Sequence, residues 1–258
     1  MTGSVHVVIV NWNTGAFLRE CLRSIADSEG ASLTRVTVVD NASSDGSADS
    51  LDELALDLEV IRNSTNVGFG AASNQGAAGS DADYLLFLNP DTRLRPTTLA
   101  AVAAFMDEPR SDRIGICGVR VFDQEGRPGI SCGRFPTLRV VAGKVTGLHS
   151  VLPRVFPRHH LAPAETQKSR VVDQIIGAFF FVRRDLFERL GGFATCFFLY
   201  YEEVDLALRA RQLGFESYLL ADAAIEHAEN VSSDQVRDLR LYHSLRSRLL
   251  YARRHWSR

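Results

Sequence analysis

The stretch YLLFLNPDTR, residues 84–93, sets five mostly apolar residues against an abrupt polar stop at Asn89, Pro90 and Asp91. An unbroken run of Tyr, Leu and Phe of this length reads as a strand buried on both faces, as in a parallel sheet covered by helices. Ligands of open α/β sheets sit outside the carboxyl ends of the strands, which puts Asp91 where a cofactor or metal is expected. Asn-Pro-Asp is also ordinary turn chemistry, so this stretch alone does not separate a turn from a site.

The flanking segments repeat the pattern. Residues 5–10, VHVVIV, form a β-branched run that stops at Asn11, Trp12 and Asn13, and Phe17, Leu18, Cys21, Leu22 and Ile25 then recur at helical spacing. Residues 36–39 predict a second strand ending in Asp40, followed by a polar turn over 41–47 and a helix carrying Leu51, Leu54 and Leu58. A third strand is expected at 58–61, and residues 63–79, NSTNVGFGAASNQGAAG, read as a glycine-rich turn into a small-residue helix. Strands alternating with helices imply parallel neighbours joined by right-handed crossovers, hence a doubly wound α/β sheet. Beyond it, the spacing predicts a helix from Pro96, a strand at 114–122, a short helix within 138–148 and one strand over 171–182. Within that last strand Gly177 permits close approach of a ligand or another backbone. Helices at 185–190 and 202–213 and a short strand at 218–220 complete the series before His227.

Composition narrows the function classes. The chain has 258 residues, 45% of them hydrophobic, and a formal net charge of −2, which gives no overall attraction to nucleic acid. Positive charge is local: eight Lys and Arg against Glu165 over residues 127–170, and seven Arg against Asp238 over 236–258. Cys21, Cys117, Cys132 and Cys196 form no close pair, which argues against a zinc ribbon or disulfide framework and fits a reducing compartment, by default the cytoplasm. With no basic region before the first apolar run and no run near ~18 apolar residues, neither a signal peptide nor a membrane span is expected.

Several motifs carry less than their letters promise. Gly68 and Gly70 begin a dinucleotide fingerprint that lacks its third glycine and follows the third strand, although such a turn still suits a diphosphate at a helix N-terminus. Residues 129–133 match G-x-S-x-G without the strand and helix that a nucleophile elbow requires. Residues 41–52 follow a strand, not the helix of a calcium loop. His159 and His160, with no carboxylate or cysteine beside them, read as solvated. The cluster Glu202, Glu203 and Asp205 is stronger. Glu202 and Asp205 share a helix face, Glu203 points elsewhere, and the preceding run Phe197, Phe198, Leu199, Tyr200, Tyr201 supplies an apolar surround able to raise a carboxyl pKa toward that of a base.

Taken in order, VVIVNWN, VVDNASSDGS, NVGFGAASNQG, LLFLNPD, IIGAFFFVRRDLFERLGGF, FFLYYEEVDLALRARQLG and IEH resemble the family-two inverting glycosyltransferases of the GT-A fold, most closely the rhamnosyltransferase-like branch. The resemblance spans about residues 5–233. It implies a mainly parallel nucleotide-binding sheet flanked by helices, with a nucleotide half at about 1–95 joined to an acceptor half at about 96–233. By this resemblance Asp40 contacts the nucleobase, Asn11, Asn13 and Asn66 line the nucleotide pocket, and Gly68 borders the diphosphate. Asp91 stands for the last carboxylate of a DxD motif and His227 for a downstream histidine, together implying a divalent cation, Mg2+ or Mn2+. Glu203 takes the place of the catalytic base, and Gly177, Glu202 and Asp205 fall on the acceptor side.

Three positions depart from the family pattern. Asn89-Pro90-Asp91 offers one carboxylate, Glu203 replaces an aspartate, and Ala194-Thr195 stand where Asp-Glu is common. The implied activity is sugar transfer, with rhamnose favoured, from a nucleoside diphosphate donor to a glycan or polyprenyl-linked acceptor. The deoxythymidine and uridine donors both remain open, as does a catalytically inactive nucleotide-sugar-binding homologue. Residues 234–258 form a basic amphipathic helix, with Leu241, Tyr242, Leu245, Leu249, Ala252 and Trp256 on one stripe at about 100° per residue. This stripe either packs inward or docks on an anionic membrane surface at the cytoplasmic face.

Overall fold

The computed structural model describes residues 2–51, 53–228 and 237–256, with the backbone alone at 237 and 238. Four strands come first: β1 (Ser4–Asn11), β2 (Ser32–Asp40), β3 (Leu58–Arg62) and β4 (Tyr84–Leu88). They lie in the order β3-β2-β1-β4 and all neighbours are parallel. Side chains alternate between two cores, as a pleat with both faces covered requires. Val5, Val7 and Ile9 pack with Leu18, Leu22 and Ile25 of α1 (Phe17–Ala26), whereas Val8 turns to the other side with Leu85, Phe87 and Ala77 of α2 (Phe69–Ala77).

The rest of the chain extends the same sheet. After β5 (Thr92–Leu94), α3 (Thr98–Asp107) and β6 (Ile114–Phe122) come the short β7 (Cys132–Gly133), α4 (Leu138–Thr146), β8 (Arg170–Val172) and β9 (Gln174–Ile175). The chain ends with β10 (Phe179–Arg183), α5 (Arg184–Arg189), α6 (Glu202–Gln212), β11 (Glu216–His227) and α7 (Arg237–His255). β10 runs antiparallel between β4 and β6, and β11 lies parallel to β6. The result is a mixed, mainly parallel sheet of nine strands flanked by helices, with β7 and β9 paired separately.

Three sequence expectations change. No helix forms among the described residues between β2 and β3. There Asp45 accepts the N–H groups of nearby Ser47 (3.0 Å) and of Gly15 beyond β1 (2.8 Å), and Ser50 adopts a left-handed φ of 51°, which interrupts a helical run just before Leu51. Leu51 is buried without it. The single strand expected over 171–182 is three pieces with three sets of partners: β8 on β11, β9 on β7, and β10 on β4 and β6. The strand expected at 218–220 is a twelve-residue β11, irregular between Leu220 and Ala224, which carries His227 into register with Thr92 of β5.

α7 packs on the domain through the buried Tyr251 ring, with Leu250 beside it, and through polar groups. Ser247 Oγ donates to Leu199 O (2.8 Å), Arg248 Nε to the Tyr201 hydroxyl (3.2 Å), and His243 stacks on Phe198 with centroids 4.6 Å apart. The far end is tied to Asp205, whose fully buried carboxylate meets Arg209 (2.7 Å), His255 (2.7 Å) and Arg254 (2.8 Å). The apolar stripe therefore faces out: Leu241, Tyr242, Leu245 and Leu249 are all exposed, while Ala252 and Trp256 are half-buried. Removing a buried partner strands the remaining charges. Asp205→Ala is expected to cost about 3–5 kcal/mol, read as a lowered midpoint in urea unfolding, whereas Arg254→Ala, whose side chain is 45% exposed, should cost far less.

Candidate active site

The carboxyl ends of β1, β2 and β4 and the end of β11 converge on one region. Asn11 and Asp40 are register partners across β1 and β2. The Asn11 amide lies 3.0 Å from Asp40 Oδ1, 3.0 Å from Ser43 Oγ and 2.8 Å from Ser47 Oγ, and its own oxygen accepts the Thr14 hydroxyl. Asn11 is wholly buried behind the cavity and is not among its lining residues, which sets it one layer further back than the sequence expectation. Asn13, left-handed at φ 50°, holds the Ser44 N–H at 2.8 Å and likewise does not line the cavity. Asp40 is almost buried, with Arg62 Nη1 3.8 Å from its second oxygen.

A cavity of about 490 Å3 opens beside these residues. One wall is Val10, Trp12, Asn41, Asn66, Gly68 and Phe69. Asn41 braces it, donating to Asn66 Oδ1 (2.8 Å) and accepting the Val67 N–H (3.0 Å), while Asn66 Oδ1 also accepts the Gly68 N–H (2.9 Å). Gly68, at φ 88°, is required here: a Cβ would lie 2.5 Å from the Phe198 carbonyl oxygen, which accepts the Phe69 N–H at 2.8 Å.

Asn89, Pro90, Asp91 and His227 contribute the next surface. The antiparallel β11–β5 ladder sets His227 opposite Thr92, which places its Nε2 3.1 Å from Asp91 Oδ1 and 3.4 Å from Asn89 Nδ2. His227 Nδ1 is buried and unpartnered. No cluster of three or more His, Cys, Asp or Glu suited to a metal occurs among the described residues. The pair of a hard carboxylate and an imidazole nonetheless fits a Mg2+- or Mn2+-like ion that takes its remaining oxygens from a diphosphate and water.

The remaining wall is Phe198, Leu199 and Tyr200 with Leu239, Arg240 and His243 of α7. Tyr200 and Tyr201 both have left-handed backbones, φ 68° and 74°, an arrangement that costs of order 1–3 kcal/mol per residue and gathers at functional sites. The chain then enters α6 at Glu202 and Glu203. Burial, and next the charge of Glu203, push Glu202 well above the ordinary carboxyl range; its Oε2 is buried without a partner. Burial pushes Glu203 up to about 7, against backbone hydrogen bonds that lower it. Glu203 is half-buried and stands beyond the cavity wall, three residues after Tyr200.

Other expected residues fall elsewhere. Asp205, expected on the acceptor side, is fully buried and paired with Arg209, His255 and Arg254, which ties the end of α7 to α6. Gly177 has open space at its Cβ position and precedes Ala178, whose carbonyl accepts the Asn89 N–H (3.1 Å). His159 and His160 are not solvated, as expected from sequence, but half-buried with rings 4.5 Å apart and both Nδ1 atoms unpartnered. Sequence reasoning missed Asn41, Trp12, Arg240 and His243. The polar turn after Asp40 was a usable signal for Asn41, whereas nothing in the spacing of α7 says where it docks.

Comparison with known proteins shows the family. The profile of Glycosyl transferase family 2 matches residues 6–191. An N-acetylglucosaminyl-diphospho-decaprenol L-rhamnosyltransferase of Mycobacterium tuberculosis is 28% identical, covering 94% of this chain and 82% of its own length. Rhamnosyltransferase WbbL of Escherichia coli is 28% identical over 63% of this chain and 62% of its own. Among solved structures, a mannosyltransferase from Pyrobaculum calidifontis in complex with GDP-Man and Mn2+ superposes with a TM-score of 0.66 at 19% identity, covering 98% of this chain and 65% of that longer one. Staphylococcus aureus TarS in complex with UDP-GlcNAc gives a TM-score of 0.60 at 18% identity, covering 89% of this chain and 61% of that one. With the profile matching residues 6–191 and solved GT-A glycosyltransferases superposing on nearly the whole sheet-and-helix framework, the chain belongs to Glycosyl transferase family 2 and has the GT-A fold.

Proposed function

We propose that this glycosyltransferase moves a rhamnosyl residue from a nucleoside diphosphate donor to a hydroxyl of a lipid-linked glycan, with inversion at the anomeric carbon. The observation that carries the reading is the left-handed Tyr200-Tyr201 turn, which joins a cavity wall to the raised carboxyl of Glu203. The two rhamnosyltransferase relatives support the sugar, and the decaprenol acceptor named for one of them supports a lipid-linked acceptor. In this reading the donor lies in the cavity, its base toward Asp40 and its diphosphate toward Gly68 and Asp91. Glu203 takes the proton of the acceptor hydroxyl while that oxygen bonds to the anomeric carbon. The bond from that carbon to the phosphate oxygen breaks, and the nucleoside diphosphate leaves. A divalent cation held by Asp91 and His227 would neutralise charge on the departing diphosphate.

A carboxyl titrating near 7 is a base matched to neutral pH. Only its ionised form accepts a proton, so kcat should climb as pH rises through about 7 and level off above it. Glu203→Gln should lose about 10²- to 10⁴-fold in kcat with donor affinity nearly unchanged. A variant retaining wild-type turnover removes Glu203 from the mechanism, and a wild type that binds donor without turnover indicates an inactive homologue. Asp40 generates a separate expectation. A carboxylate accepting the ring N–H of uracil or thymine discriminates against adenine, so Asp40→Ala should weaken pyrimidine nucleotides selectively, measured by titration against the adenine series.

The acceptor reading also calls for a membrane-facing surface. Ten of the fourteen exposed large apolar side chains among the described residues lie in two segments. Leu239, Leu241, Tyr242, Leu245 and Leu249 are on α7, and Leu138, Val145, Val151, Leu152 and Val155 are on and after α4. These are the same segments that hold the excess of Arg and Lys. Apolar groups interspersed with positive charge suit an anionic bilayer surface at the cytoplasmic face, each basic group contributing about 1 kcal/mol near it. No helix among the described residues is long and apolar enough to cross a membrane. Co-sedimentation should favour anionic over neutral vesicles and weaken with salt, and Leu245→Glu with Leu249→Glu should abolish it. Equal binding to both vesicle types would dismiss the membrane role.

A further inference from the structure

The family profile ends at residue 191, yet the cavity is closed by side chains from α7, more than forty residues later. We infer that Arg240 and His243 of α7 bind the diphosphate of the donor, so that a segment outside the profile completes the donor site. This rests on the donor reading above and assigns that reading two residues it did not contain.

Charge is the first argument. Among the described residues, Arg240 is the single Lys or Arg lining the cavity, whereas Asp91 contributes a negative group to the same surface. A diphosphate entering there needs positive charge beyond one shared cation, and a guanidinium is suited to phosphate oxygens by its planar fork of donors. Hydrogen bonding is the second. His243 Nδ1 is buried without a partner among the described residues although the residue lines the cavity, and a buried polar atom left unpaired is a place for a ligand to bond.

Placement is the third. The His243 ring lies nearly parallel to Phe198, 21° between planes at 4.6 Å, and the Phe198 carbonyl receives the Phe69 N–H where α2 begins. The Gly68 and Phe69 amides on that wall are already bonded, to Asn66 Oδ1 (2.9 Å) and to the Phe198 carbonyl, so an anion in the cavity draws its donors from side chains. α7 is thus set against the wall that carries Gly68, Phe69 and Phe198, with Arg240 and His243 on the cavity surface. Its position is held by Ser247 on Leu199 and Arg248 on Tyr201, within the strip that also leads to Glu203.

The test is calorimetric titration of the whole chain with UDP, TDP and GDP, with the matching nucleosides and with inorganic pyrophosphate, each with Mg2+ present. Arg240→Gln and His243→Phe, the latter keeping the stacked ring, are expected to weaken the preferred nucleoside diphosphate and pyrophosphate about tenfold or more while leaving the nucleoside unchanged. Arg189→Gln, an equal charge change at an exposed position on α5, should leave all of them unchanged. Diphosphate affinity preserved in both variants overturns the assignment while the donor reading stands. An equal loss for nucleoside and diphosphate also overturns it, since that reports a deformed pocket. A wild-type chain that binds no nucleoside diphosphate overturns the donor reading and this assignment together.

Discussion

Burial of both faces of the central strands is the constraint on which everything else rests. Val5, Val7 and Ile9 fill one core and Val8 the other, and β4 and β10 divide Leu86, Leu88, Phe179 and Phe181 from Leu85, Phe87, Phe180 and Val182 in the same way. Unpaired polar groups are costly in such layers. Chemistry is therefore displaced to the strand ends, where Asn11, Asp40 and Asp91 stand and where the β11–β5 ladder delivers His227. His6, the polar exception inside β1, is kept neutral: burial lowers its pKa to about 4, and both ring nitrogens are hydrogen-bonded, to Ser80 (3.0 Å) and Thr37 (2.8 Å).

The second half of the chain places high-energy features next to one another. Two tyrosines with left-handed backbones precede two adjacent glutamates with raised pKa values, and the next carboxylate on that helix, Asp205, is buried among Arg209, Arg254 and His255. Asp205 and Glu203 differ in what surrounds them. Cationic partners meet the first, while the second, with no such partner among the described residues, is pushed by burial to about 7. α7 links these features to the cavity, because its polar face contacts Phe198, Leu199, Tyr201 and Asp205 in turn. Its inward face joins these polar contacts to the buried Tyr251 ring, while Leu241, Tyr242, Leu245 and Leu249 stay outside, which gives the same element an inner and an outer surface with separate chemistry.

Much of the fold was legible locally. Runs such as VHVVIV and YLLFL admit few readings, since β-branched and aromatic residues in short uninterrupted runs favour a covered strand, and the polar stops after them marked Asn11, Asp40 and Asp91. The leucines of residues 51–58 were misleading. Their spacing suited a helix, but Asp45 binds the backbone amides of Ser47 and Gly15 and Ser50 turns left-handed, so the apolar groups reach the core from an irregular loop. The apolar run over 171–182 carried no sign of three separate strands, because what divides it is the identity of the partner strand.

The side chains alone thus established an α/β protein with strand-end carboxylates, a glycine-bearing turn before α2 and a pair of glutamates in an apolar setting. These follow from short-range sterics and hydrophobic period, which are properties of neighbouring residues. Long-range packing buried Asn11 against Asp40, paired Asp205 with the end of α7, brought His227 to Asp91 across more than a hundred residues and set Arg240 and His243 on the cavity surface. Each of those outcomes depends on which distant element supplies the opposing surface, and no local pattern encodes that pairing.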